Sequence, residues 1–172
     1  MLHENNEEKS FSIVDTDVNF EKIYGKEYIP HDYIDDIKSA NVLLIPNEGF
    51  RDKKGYYFPE CTPEFYLFLK KQEEITTEIC IDDEEFQRIE LHSDVINVAT
   101  LLIEELVFPI VATLISTYLY DKVKSMNKKK DEVDAKVHII IEKKGKSKRI
   151  EYKGSVEDFE ETMKTIEKTI FK

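Results

Sequence analysis

The sequence predicts an α+β fold, or a small α/β one, on three observations. Short apolar runs rich in β-branched residues alternate with helix signals in the first half. A long apolar stretch, INVATLLIEELVFPIVATLISTYLYDK, fills residues 96–122. An alternating hairpin and a strongly amphipathic helix close the chain. Together these predict a strand-helix-strand-strand module, a long proline-kinked apolar helix and a C-terminal ββα unit.

The expected divisions follow from composition. Residues 1–27 read as a polar tail with a lead-in, the first 12 of them too polar to bury themselves. Residues 28–92 form the small α/β module. Within it, YIPHDYIDDI predicts a turn and a short helix from His31, and NVLLIP predicts a buried strand. The segment NEGFRDKKG is rich in turn formers and reads as a loop. Thr62-Pro63-Glu64 predicts a helix start, with a hydroxyl cap, proline in the first turn and an acid near the positive end of the dipole. ITTEICI and FQRIEL then read as two strands joined by a solvated acidic tip, DDEE. No calcium-loop spacing is present there.

The apolar stretch is the most informative part. A bilayer span needs about 20 apolar residues, and Glu104 and Glu105 leave only 106–120 uninterrupted. At about 100° per residue, Asn97, Thr100 and Glu104 lie on one side of a wheel and Thr113, Ser116, Thr117 and Tyr120 on nearly the other. A proline first in a second helix would put Phe108 at the cap, a poor capping residue. One kinked helix over 93–124, capped by Ser93 or Asp94, is therefore expected. Its roles rank as core helix, then subunit contact through Leu106, Phe108, Ile110, Leu114 and Tyr118, then membrane insertion on activation.

Residues 125–134 read as a charged linker and 135–172 as the ββα unit. KVHIIIEK puts Val137, Ile139 and Ile141 on one face, KGK turns the chain, and RIEYK returns with Ile150 and Tyr152 on the same side. Ser155 with Asp158 resembles a capping box. Val156, Phe159, Met163, Ile166 and Ile170 then form one apolar stripe. Over 93–172 the succession LLIEELVFPIVATLISTYLYDKV, KKKDEVD and KVHIIIEKKGKSKRIEYKGSVEDFEETM resembles small bacterial accessory proteins found beside defence or conflict effectors. The resemblance implies an accessory subunit of an antiviral system acting through protein contacts, with no catalytic residue to transfer.

Charge and motifs narrow the chemistry. The net charge is −11, with ten Lys/Arg against 22 Asp/Glu over 1–92 and 15 against 11 over 121–172. An acidic first half repels phosphate backbones, so nucleic acid is not the expected partner. Protein contact or homo-oligomerisation is expected instead. Cys61 and Cys80 form no CxxC pair and the first ten residues are acidic, which suits a cytoplasmic location. Five glycines and five prolines are too few for a disordered or fibrous chain.

Asn47, Glu48 and Arg51 follow a buried strand, where open α/β sheets place ligands, and form the candidate binding site. No glycine-rich phosphate motif accompanies them. Lys143, Lys144, Lys146, Lys148 and Arg149 crowd one turn and form the candidate contact for an anionic partner. His31 with Asp32, Asp35 and Asp36 is explained by a short helix, and His92-Ser93-Asp94 by a helix cap. Cys61 stands beside a helix start but has no evident base. No catalytic residue, metal or cofactor is therefore expected, and a non-enzymatic role is favoured.

Overall fold

Two sheets organise the chain in the computed structural model, which describes residues 10–50, 52–89 and 94–171. In chain order the elements begin with β1 (Ser10–Thr16), α1 (Phe20–Tyr24), a 3-10 turn (His31–Tyr33) and α2 (Ile34–Ser39). β2 (Val42–Ile45), β3 (Asn47–Phe50), β4 (Lys53–Pro59), α3 (Thr62–Lys70), β5 (Thr77–Ile79) and β6 (Gln87–Ile89) follow. The second half holds β7 (Ile96–Asn97), β8 (Thr100–Glu104), a 3-10 turn (Glu105–Val107), α4 (Phe108–Ser125), β9 (Asp134–Lys143), β10 (Lys146–Ser155) and α5 (Val156–Thr169). The architecture is α+β, built on a mixed main sheet of order β1-β10-β9-β8-β2-β5, with β7 also paired to β9. A small sheet, β3-β4-β6, stands beside it.

The ββα unit forms as its pattern predicts. β9 and β10 pair antiparallel through a two-residue turn in which Lys144 (φ 51°) and Gly145 (φ 82°) both take left-handed backbone, the geometry that matches strand twist. Ser155 caps α5, its Oγ accepting from the Asp158 N–H at 3.2 Å. Val156, Phe159, Met163 and Ile166 are buried along the helix face, and Phe159 meets Tyr152 edge-on at 5.2 Å.

The expected kinked helix is corrected. Residues 96–97 and 100–104 are strands, and the helix starts only at Phe108 after the 3-10 turn. β8 pairs antiparallel with β2 and parallel with β9, so it lies in the sheet interior. Leu101, Leu102 and Ile103 are all buried, giving a strand covered on both faces and hence a continuous apolar run. Such a run cannot be told from a buried helix by periodicity. Pro109 sits in the first turn of α4, where its missing N–H costs nothing, and Val107 takes the cap position without a side-chain bond. β8, α4 and β9 form a parallel crossover unit. Through β8, the module at 28–92 and the ββα unit share one sheet.

Three other expectations change. Residues 10–12 belong to the edge strand β1, paired along its length with β10, while the tail before residue 10 lies outside the described residues. The loop after β2 is a hairpin, β3–β4, with a register shift between Glu48 and Phe50 and Gly49 at φ 88°. β5 and β6 do not form a hairpin: β5 pairs with β2 in the main sheet and β6 with β4 in the small one. At α3 the cap position falls on Cys61, whose carbonyl accepts from the Phe65 N–H, and Thr62 is already helical and buried.

Register fixes the faces, since cross-strand partners share a side and neighbours alternate. Leu44, Leu101, Ile139 and Ile150 form one row on the face that carries α4 and α5. Leu43, Leu102, Ile140 and Arg149 form the adjacent row on the opposite face. There α1 is tied down by the Phe20 N–H, which donates to Glu142 Oε1 at 2.8 Å.

Candidate functional site

The five expected contact residues on the apolar helix divide. Phe108, 2% exposed, and Tyr118, 4% exposed, point inward and belong to the core. Tyr118 packs against Phe65 and Phe68 of α3, and its hydroxyl donates to Glu64 Oε2 at 3.2 Å. Leu106 is 84% exposed, and Ile110 and Leu114 are half-buried. These three stand four residues apart, on the outward side beside exposed Pro109, Thr113 and Thr117. Phe108 and Tyr118 face the other way because the inward arc of α4 also carries Val111, Ile115 and Leu119.

Glu105–Ser125 is the one segment among the described residues long and apolar enough to cross a membrane. Half of its most apolar window is buried within the fold. Of the charges near its ends, Glu104 turns to the α1 face opposite Glu142, Glu105 pairs with Lys143 and Lys122 pairs with Glu64 at 2.8 Å, while Lys124 stays exposed.

The cluster of cations at the β9–β10 turn does not act as one patch. Lys143 approaches Glu105 at 3.6 Å and lies over the Phe171 ring, while Lys148 pairs with Asp15 at 3.0 Å. Lys144 and Lys146 remain exposed at the tip. Strand alternation sends Arg149 to the opposite face from Lys148.

There Arg149 meets two residues of the first candidate site. Asn47, Glu48 and Arg149 line a groove of about 520 Å³ between α1, the segment leading into β3, and the sheet. Val18, Ile23, Ile45 and Ile140 supply apolar wall, and Thr100 lies in the floor. Lys26 Nζ bridges both Glu48 oxygens, at 3.2 and 3.3 Å. Arg51, the third expected member, lies outside the described residues.

The guanidinium is held from behind. Arg149 Nε donates to Glu151 Oε1 at 2.9 Å and Nη2 donates to His138 Nδ1 at 3.0 Å. Arginine only donates, so His138 Nδ1 must accept, which fixes the neutral imidazole with its proton on Nε2. Burial first, and Arg149 beside it second, push the His138 pKa below the ordinary 6.5, against a smaller opposing pull from Glu151. The unfolded imidazole takes up its proton as pH falls through 6.5, but the folded one resists until the lower value. Stability is therefore complete above 6.5 and declines below it. Melting temperatures are expected to fall on acidification through this window, and less steeply in His138→Gln. Parallel profiles for the two proteins would rule the imidazole out as the cause.

Other candidates resolve simply. Cys61 Sγ donates to the Asn97 carbonyl at 3.1 Å, and burial pushes its thiol pKa up, the reverse of a nucleophilic thiolate. Among the described residues no group of three His, Cys, Asp or Glu side chains is placed to hold a metal, the His31 cluster included. His92 and Ser93 lie outside the described residues, and Asp94 caps no helix. Sequence reasoning missed His138 and placed Arg149 with the wrong partners. Its one available signal was the alternation of Arg149 with Ile150 and Tyr152, which turns it away from the helix side. No protein-family model matches the chain, and no curated protein or solved structure matches it.

Proposed function

We propose that the chain is a non-enzymatic interaction subunit, resident in the cytoplasm, that assembles with a second copy through the outward ridge of α4. The carrying observation is the row Leu106, Ile110 and Leu114, with Leu106 84% exposed on the 3-10 turn that leads into α4. Antiparallel apposition of two α4 helices would oppose their dipoles, which favours that direction. An accessory place in bacterial antiviral defence rests on the sequence resemblance and fits this reading. Membrane insertion of the same helix would strip Phe108, Val111, Ile115 and Leu119 from the core, which favours assembly over it.

A single helix ridge is small beside the usual stable interface, so a dissociation constant of about 10 μM is expected. Light scattering of the wild-type protein should give a concentration-dependent dimer. Leu106→Glu should be monomeric throughout, with unchanged circular dichroism and melting. A wild-type protein still monomeric at about 1 mM would end the proposal.

A further inference from the structure

We infer that the groove between α1 and the main sheet binds a small carboxylate with an apolar body, its carboxylate on Arg149. The inference is independent of assembly through α4. The groove, about 520 Å³ and open to solvent, is within the range of small-molecule sites. Its lining is mixed: Val18 and the edge of Ile45 offer apolar atoms beside Lys26, Asn47, Glu48, Thr100 and Arg149. Among its polar groups Arg149 carries a guanidinium, a planar fork suited to a carboxylate.

Positioning is already supplied. Glu151 and His138 take two of the five Arg149 N–H donors and fix the plane of the group, leaving three for a ligand. His138 accepts only while neutral, so it steadies the guanidinium without adding a competing charge. At the rim Lys26 pairs with Glu48, which offsets the Glu48 charge that would otherwise repel an anion. Asn47 adds an uncharged amide beside them. Inorganic phosphate would leave the apolar atoms of Val18 and Ile45 uncovered, so a carboxylate with a small apolar body is the better match.

The full-length protein, labelled with 15N, would be titrated with 4-methylpentanoate and, separately, with the uncharged 4-methylpentanamide. Saturable amide shifts at Ile45, Thr100 and Ile140 are expected for the acid, with the amide at least about 10-fold weaker, the scale of one lost charge-assisted pair. Arg149→Met should abolish binding, whereas Lys148→Met, on the opposite face, should leave it intact. Val18→Phe narrows the apolar wall and should weaken binding by about 10-fold or more, a test that does not depend on Arg149→Met folding. Equal affinity for acid and amide, undiminished binding by Val18→Phe, or no saturable shift at about 10 mM acid would each overturn the inference.

Discussion

Replacing Ile139 by alanine is expected to lower the unfolding free energy by about 2–5 kcal/mol, the range for truncating a large aliphatic residue in a close-packed core. Ile139 is fully buried in the middle of the main sheet, with Leu101 of β8 on one side and Ile150 of β10 on the other. Leu44 extends the same row on β2. α4 and α5 cover this face, so the cavity left by three missing carbons has no solvent edge into which to collapse. Against a typical total of about 5–15 kcal/mol, the loss is a large fraction of the whole. Urea unfolding should show the midpoint falling with little change in slope. Leu101→Ala should cost a similar amount, and the double variant should depart from additivity because the two share one cavity. A loss below about 1 kcal/mol for Ile139→Ala would mean that the β8–β9 pairing is wrong.

The parts of this fold that were legible in the sequence are those whose evidence is local. α5 could be read because Val156, Phe159, Met163 and Ile166 repeat with helical spacing and Ser155 marks the start. The β9–β10 hairpin was readable from alternation on either side of Lys144-Gly145. β8 was not, since a strand covered on both faces carries no alternation, and Leu101, Leu102 and Ile103 fit either structure. β5 and β6 have strand-like composition, but which strand each joins depends on chain far away in sequence. β1 is a mixed edge strand with Phe11 and Val14 exposed, and its pairing with β10 links residues more than 130 positions apart.

The same limit applies to the groove. Asn47 and Glu48 were singled out because they follow a buried strand, a rule about local order. Arg149 was found for its charge but assigned to a turn, because five cations in seven residues look like one feature. Only the register β2-β8-β9-β10 places Arg149 in the same row as Leu43 and turns it toward α1. A site assembled across four strands has no signature in a single chain, whereas a site on one loop does.

Phe108→Ala should cost about 3–5 kcal/mol of stability, while Leu106→Ala should change it by no more than about 0.5 kcal/mol. The two residues are neighbours on the apolar segment, and a sequence-based ranking puts both in one interface. Their environments differ sharply, with Phe108 2% exposed at the base of α4 and Leu106 84% exposed on the 3-10 turn before it. Truncating the ring leaves a cavity beneath the first turn of α4, next to Pro109, where the backbone is too constrained to close it. Truncating Leu106 removes atoms that water already surrounds. Assembly should respond in the opposite order: Leu106→Ala should weaken self-association while leaving the monomer intact, and Phe108→Ala should disturb association only as far as it unfolds the chain. Urea unfolding and light scattering on both variants separate these effects. A stable Phe108→Ala protein that no longer associates would turn the helix around, placing Phe108 on the ridge and Leu106 against the sheet.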